Sequence, residues 1–330
     1  MKVFVCEFIT GGGLARDPLP RGLAQEGGMM AQALAADLHE LPGIRVVASR
    51  DARLPRLPDG ETIVAGPGDD LSETYARGLA AADAAWPIAP ETDGALESLA
   101  RATLRAGRRL LGCQPGAIRI AASKRRTAAA LARGGVPVVP TFTAFETLPH
   151  RAGPWVVKPD DGAGCEDTEI APDHDAARSL LAANPVRMVA QPWIEGQPAS
   201  LSVLCADGRS MLLAVNLQEV RIAERRVVVE RLLVNAVADT DGRLATLAQA
   251  VVAAIPGLWG YIGIDLVRTR NGPVVLEVNP RLTTSYCGLR AALGLNAAGM
   301  VLQLVEPVVG PGWKDPIRSC PVEIALAPEP

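Results

Sequence analysis

The chain has 330 residues, 48% of them hydrophobic and 21% charged, with a formal net charge of −3. That apolar fraction excludes an intrinsically disordered polypeptide, and a near-balanced charge without a basic stripe argues against a nucleic-acid partner. No apolar run approaches the ~18 residues that span a bilayer, which argues against a membrane protein.

At roughly 100–200 residues per domain, two or three units are expected. Aromatic residues make up only 4%, so aliphatic side chains must fill the core, and Ala-rich stretches between short apolar runs predict an α/β (α+β) fold. Residues 1–113 read as the first unit. Met1 to Thr10 resembles a short signal peptide, but three glycines stand where a small-residue cleavage site belongs, so a first strand is the better reading. Strands are predicted over Val3 to Ile9, Ile44 to Ser49, Thr62 to Ala65, Ala84 to Ala89 and Arg109 to Gly112, with a helix over Glu26 to Leu38. Such alternation predicts a Rossmann-like parallel sheet with right-handed crossovers. Gly11-Gly12-Gly13 does not complete a dinucleotide fingerprint, which needs glycine where Arg16 stands, so a tight turn is expected there. Loops at the C-terminal ends of such strands hold ligands, which makes Glu7, the glycine turn and Glu91 candidate substrate contacts.

The second unit, 114–191, opens with one helix running from Pro115 through Lys124 and Leu131 to a stop at Gly134-Gly135. Strands follow over Val136 to Phe142, Trp155 to Lys158, Thr168 to Ile170 and Met188 to Gln191, with a helix over Asp175 to Ala183. The third unit, 192–330, is strand-rich: Leu201 to Cys205, Met211 to Leu217, Arg226 to Asn235, Tyr261 to Arg268 and Val274 to Asn279, interrupted by a helix over Leu244 to Ala254. Six scattered cysteines show neither C-x-x-C nor histidine at metal spacing, which predicts reduced thiols in a cytoplasm.

Of 33 basic residues only Lys2, Lys124, Lys158 and Lys314 are lysines. Where arginine is the default cation, a compact ammonium marks positions selected for its reach and hydration. Lys158 ends the apolar Val156-Val157 run and precedes Pro159-Asp160-Asp161-Gly162-Ala163-Gly164, an order that resembles a phosphate cradle without being a Walker A loop. Gln191 to Gly196 reads either as a hinge meeting an adenine edge or as an ordinary linker with a packed Trp193.

The segment 261–281 carries the strongest pattern. Side chains alternate along a strand, so Val275, Glu277 and Asn279 share one face. A three-residue loop, Arg270-Asn271-Gly272, would set Asp265 opposite Glu277, whereas a two-residue Asn-Gly turn would pair it with Val278. Taken alone, the two carboxylates fit a half-exposed hairpin. Like charges placed opposite each other destabilise a sheet unless a cation neutralises them, and two carboxylates plus the Asn279 amide oxygen suit Mg²⁺ shared with phosphates. Arg281, on the same side, is placed to reach a phosphate oxygen.

Lys124, Lys158, the 191–196 hinge, and Asp265, Glu277, Asn279 and Arg281 in that order resemble the ATP-grasp superfamily over roughly residues 115–285. Cys6-Glu7-Phe8, Glu26-Gly27-Gly28-Met29-Met30, Ile88-Ala89-Pro90-Glu91 and Leu111-Gly112-Cys113 resemble the branch that joins L-glutamate to tyramine or tyrosine in methanofuran biosynthesis. The resemblance implies an ATP-grasp fold behind an N-terminal substrate domain, with ATP and two Mg²⁺ (or Mn²⁺) ions. It implies that Lys124 and Lys158 hold phosphates, that loop 160–168 closes over them, and that Gln191 with the Trp193 and Ile194 backbone reads adenine. It further implies that Asp265, Glu277 and Asn279 bind metal, with Arg281 and Lys158 catalytic. An acidic ribose ligand is expected where Pro198 stands, which leaves Glu195 or a residue elsewhere for that role, or else a weak affinity for nucleotide. The implied partners are small-molecule carboxylate and amine substrates, with a homodimer left open. Two other readings remain: an amino-acid ligase of the D-alanine or pyrrolysine-pathway type, and a silent nucleotide-binding regulatory module.

Overall fold

Val3-Phe4-Val5-Cys6 forms the heart of β1 (Lys2–Glu7), an apolar run buried on both faces as the centre of a parallel sheet requires. In the computed structural model, which describes residues 1–58, 60–162, 164, 167–305 and 319–326, β1 is flanked by β2 (Arg45–Asp51), β3 (Glu61–Ala65), β4 (Ala84–Ile88) and β5 (Arg109–Leu110). All pair in parallel, in the order β3-β2-β1-β4-β5. Helices α1 (Arg21–His39), α2 (Leu71–Ala81) and α3 (Ala95–Arg105) return the chain. Strand order reverses between β1 and β4, so the loops after those two strands flank a crevice.

Helix α1 starts at Arg21, ahead of the predicted Glu26, and runs straight through Gly27-Gly28. A Cβ on Gly27 would stand 2.4 Å from the Glu7 carboxylate, so this glycine serves close packing and does not end the helix. Gly78 of α2 lies against Phe4 in the same way, with a Cβ there 2.2 Å from the ring. Gly78→Ala is therefore expected to destabilise the protein by ~1–3 kcal/mol through overpacking, despite alanine's ~1 kcal/mol helix advantage. Thermal melting checks this, and an unchanged midpoint would contradict it.

The single helix predicted from Pro115 is two, α4 (Pro115–Ala121) and α5 (Lys124–Arg133). Ser123 makes the break: its hydroxyl accepts from the Arg126 N–H at 3.1 Å, an N-cap that restarts the helix at Lys124. The strand predicted over Val136 to Phe142 shrinks to β6 (Phe142–Thr143) and an isolated bridge between Val138 and Val275, since Pro137 and Pro140 remove ladder donors. Beyond these come β7 (Trp155–Pro159), β8 (Glu169–Ala171), α6 (His174–Ala183), β9 (Met188–Pro192), β10 (Gln197–Ala206), β11 (Arg209–Ala223) and β12 (Arg226–Val237). The last described elements are α7 (Arg243–Ala254), β13 (Gly260–Thr269), β14 (Gly272–Asn279), α8 (Tyr286–Leu293), α9 (Ala297–Val305) and β15 (Val322–Ala325). Helices α8 and α9 and strand β15 went unread in the sequence.

Ten strands form one sheet, β14-β13-β10-β11-β12-β8-β7-β9-β6, with β15 paired to β12. The expected boundary at 191/192 falls inside β9, and the sheet passes through it. The two halves meet at the Arg226–Glu169 pair, while Trp155, Val157, Leu181 and Ala190 give the smaller half its own core. A larger core runs from Phe4 and Leu96 through Ile118 and Leu131 to Leu201, Ile262 and Val275, seating the parallel sheet against the antiparallel one. Among the described residues, no single helix is long and apolar enough to cross a membrane.

Candidate active site

Hairpin β13–β14 sets Asp265 opposite Glu277, by a route other than the predicted loop. Thr269 pairs with Gly272, so the turn holds two residues, Arg270 and Asn271, and a bulge beyond Leu266 restores the parity that this turn alone would break. Gly272 closes the turn at φ +117°, a conformation that favours glycine. Leu276 is the extra bulge residue, and it lines the same cavity as Glu277, against strict alternation.

Asp265 accepts from Asn279 Nδ2 at 2.8 Å and from Gln218 Nε2 of β11 at 3.0 Å. Burial and the Glu277 charge push its carboxyl up to about 7. Burial pushes Glu277 upward as well, but Lys158, Lys124 and Arg281 outweigh it and hold Glu277 below the usual range. A charged carboxylate beside a partly protonated one fits a divalent cation, whose charge relieves the repulsion that the proton now relieves. Among the described residues no group of three or more His, Cys, Asp or Glu forms a metal cage. Two carboxylates and one amide oxygen are instead donors that could hold a hard cation whose remaining positions go to substrate oxygens. Since the proton on Asp265 competes with metal below its pKa of about 7, Mg²⁺ affinity is expected to fall as pH drops. Half-saturating Mg²⁺ should rise about tenfold per pH unit below neutrality, and a titration showing no pH dependence would contradict this.

Lys124 Nζ and Lys158 Nζ stand 3.7 and 3.6 Å from Glu277 Oε2. Burial lowers the Lys124 pKa, with Lys158 adding to the effect and Glu277 opposing it. Lys124 Nζ also donates to the Gly162 carbonyl at 2.6 Å, tying the lysine to the glycine loop. Asp160 fastens the two segments: its carboxylate accepts from Ser123 Oγ at 2.6 Å and the Arg125 N–H at 2.9 Å, and its carbonyl accepts from the Lys124 N–H at 2.9 Å. Sequence reasoning missed Asp160, because a cap supplied from 35 positions away leaves no local signal. Gln218 was missed too, although Asn216 and Gln218 put polar groups at period two in an apolar strand. Ala163, Cys165 and Glu166 lie outside the described residues, so the predicted closure of loop 160–168 and the place of Cys165 lie outside them as well.

Lys124, Lys158, Gln218, Asp265 and Glu277 form the polar end of a cavity of roughly 190 Å³, whose remaining walls include Val156, Ile194, Val220, Val229 and Leu276. Gln191 is buried beside it, with Nε2 donating to Thr141 Oγ1 at 2.9 Å, so Oε1 is its remaining acceptor. The Trp193 N–H is taken by the Pro154 carbonyl at 3.0 Å, so the hinge donor falls to Ile194, and Trp193 offers only its carbonyl. Glu195 is exposed and absent from the cavity wall, while Pro198 lines it.

Arg281 Nε donates to Glu91 Oε1 at 2.9 Å, with the two side chains 14% and 6% exposed. Burial lowers the guanidinium pKa, but Glu91, joined by Glu277 and Asp265, outweighs it and raises it. Glu91, a candidate substrate contact in the sequence, is engaged by Arg281. Glu7 is engaged as well: it accepts from the Ile9 N–H at 3.1 Å and from the Thr10 N–H and Oγ1 at 2.7 Å each, holding the turn that follows β1. Burial raises its pKa against those hydrogen bonds.

A cation-lined slot between the halves of an antiparallel sheet, behind a parallel-sheet domain, defines an ATP-grasp protein. The ATP-grasp domain family matches residues 121–285 and the pre ATP-grasp 3 domain matches residues 44–118, and the chain belongs to the ATP-grasp family. Among named relatives it is similar to tyramine–L-glutamate ligase of Methanocaldococcus jannaschii, at 27% identity over 208 residues, 63% of this chain and 58% of that one. The match thus spans little more than half the length of that relative. In structure it is similar to an ATP-grasp superfamily protein from Archaeoglobus fulgidus, with a TM-score of 0.74 at 23% identity over 98% of this chain and 92% of that one. It is also similar to L-amino acid ligase from Bacillus licheniformis, with a TM-score of 0.64 at 17% identity over 92% of this chain and 73% of the other.

Proposed function

We propose that this protein is an ATP-dependent carboxylate–amine ligase that forms an amide through an acyl phosphate. The reading includes its substrates: L-glutamate joined to tyramine or tyrosine, in methanofuran-type one-carbon cofactor biosynthesis. The observation that carries the reaction class is the meeting of Lys124 and Lys158 with Glu277, opposite Asp265, at the charged end of a mostly apolar cavity. The substrate reading draws its support from the N-terminal motifs and from the tyramine–L-glutamate ligase likeness.

In this reading residues 1–113 hold substrate, and 114–191 and 192–330 clasp the nucleotide. Gln191 Oε1, the Trp193 carbonyl and the Ile194 N–H face adenine. Asp265, Glu277 and Asn279 would hold two Mg²⁺ ions, which would supply charge neutralisation to the triphosphate. The lysine–Glu277 distances exceed hydrogen-bond length, so neither ammonium group is locked onto Glu277, and Lys124, which gives one N–H to the Gly162 carbonyl, keeps two for phosphate oxygens. Arg281 and Lys158 then face the γ-phosphate as a substrate carboxylate oxygen attacks it and ADP leaves. Phosphoryl transfer asks for positioning and charge more than for covalent help, and these residues provide both. The amine next attacks the acyl carbon, loses a proton, and expels phosphate. A cytoplasmic setting fits the unpaired Cys6, Cys113, Cys205, Cys287 and Cys320. A silent nucleotide-binding module has little reason to keep the two lysines and two carboxylates together.

The test is ADP release with Mg-ATP and L-glutamate, with and without tyramine or tyrosine, and mass spectrometry of the product. Amine-dependent release with a glutamyl amide is expected. Turnover only with other amino acids would overturn the substrates and keep the class, and ATP binding without turnover on a broad panel would overturn the class.

A further inference from the structure

We infer that Glu91 is the positioning residue for the phosphoryl-transfer step, holding the Arg281 guanidinium away from Asp265 and Glu277 and presenting it to the reacting phosphate. The inference rests on the ligase reading above.

Arg281 leaves β14 two residues after Asn279, and besides Glu91 the acidic groups acting on it are Glu277 and Asp265. With those alone, a nearly buried guanidinium would settle onto the carboxylates assigned to the metal, where it would stand in for the cation. Glu91 offers a stronger alternative. Its Oε1 takes Arg281 Nε at 2.9 Å while the Leu282 carbonyl takes Nη1 at 3.2 Å, which fixes two donors of the planar group and leaves Nη2 for an incoming oxygen anion.

Glu91 comes from the other sheet, 190 residues away in sequence, just after β4 where the strand order reverses. Its own backbone is secured, since its carbonyl accepts from the Gly94 N–H at 3.1 Å and the neighbouring Pro90 carbonyl accepts from the Leu96 N–H at 3.2 Å. The same turn touches the glycine loop through the Asp93 N–H and Asp161 Oδ2 at 3.4 Å, with Asp93 held at φ +54°. One short turn of the N-terminal unit therefore meets both the arginine and the phosphate loop. Misplacing a charge-stabilising group by about an ångström is enough to slow a transfer step about 10²-fold.

The experiment compares the full-length protein with Glu91→Gln and Glu91→Asp. Gln keeps the shape and loses the charge, so kcat is expected to fall about 10²-fold, with Mg-ADP affinity at saturating Mg²⁺, measured by isothermal titration, within threefold of the starting protein. Arg281, once released, competes for Glu277 and Asp265, so the Mg²⁺ needed to half-saturate ADP binding is expected to rise several-fold. Glu91→Asp retains the charge and is expected to recover part of both losses. A merely structural role would lower melting temperature and nucleotide affinity together and would leave the Mg²⁺ requirement unchanged. Wild-type kcat in Glu91→Gln, or an unmoved Mg²⁺ midpoint, overturns the inference. Should the Gln variant not fold, Glu91→Asp carries the test: a reduced kcat at unchanged Mg-ADP affinity supports the role, and wild-type kcat overturns it. If the unaltered protein itself releases no ADP on any carboxylate and amine, the ligase reading fails, while the Mg²⁺ titration still decides whether Glu91 restrains Arg281.

Discussion

Glu277→Gln is expected to lower ADP formation by about 10³-fold or more, the scale at which losing a charge-neutralising group in a dry site is felt. Glu277 stands at the crossing of three relationships: it faces Asp265 across the hairpin and lies 3.7 and 3.6 Å from the Lys124 and Lys158 ammonium groups. Gln retains the size and removes the charge that serves all three. Two nearly buried ammonium groups are then left without their shared counter-charge, which costs stability in the nucleotide-free protein. The melting temperature should fall while the circular dichroism spectrum keeps its shape, and added Mg-ATP should no longer raise it in proportion. Normal turnover in this variant would remove the metal assignment.

Asp265→Asn is expected to abolish activity to a similar degree with the opposite effect on stability. The Asp265 carboxyl titrates at about 7 in the folded protein, well above the ~3.9 of an unfolded chain. A raised carboxyl pKa means that folding is favoured while the group is protonated, and that this contribution is lost as pH rises from the unfolded to the folded value. Asn carries no charge at any pH and can still meet Gln218. The variant should therefore match the starting protein only below about pH 4, gain on it as pH rises through 5 and 6, and exceed it most near pH 8, because it is spared the loss. A variant less stable than the parent at pH 8 would show that the Asp265 charge is compensated in the folded state. The pair of substitutions separates the two carboxylates by sign, which a generic loss of packing could not do.

Much of this site was legible in the chain because it depends on local periodicity. The alternation of Glu277 and Asn279 placed polar groups on one strand face, although the bulge at Leu276 turns Val275, expected on that face, into the core with Val278; the scarcity of lysine drew attention to Lys124 and Lys158. The register was reached differently. A two-residue turn and a bulge at Leu276 give the pairing expected of a longer loop, and a bulge is set by twist and tertiary fit more than by composition. Burial along β1 and β4 was visible in continuous apolar runs, while the start of α1 at Arg21 was hidden because Pro20 stands at the N-cap position and no side chain caps the helix there. The break at Ser123 was hidden by the Ala-rich stretches on either side of it. Asp160 capping α5, and Glu91 meeting Arg281, join segments far apart in sequence. No periodicity encodes such pairings, so they follow only from the packed fold.

The account stands most directly on transfer of the γ-phosphoryl group to a carboxylate oxygen, and oxygen tracing tests that step. L-Glutamate labelled with ¹⁸O in its carboxylates is incubated with the protein, Mg-ATP and tyramine, and the released phosphate is examined by mass spectrometry. The acyl phosphate route places one labelled oxygen in each phosphate, because the carboxylate oxygen that attacks phosphorus departs with it when the amine displaces it. Amide product accompanied by phosphate free of label would contradict the proposed chemistry.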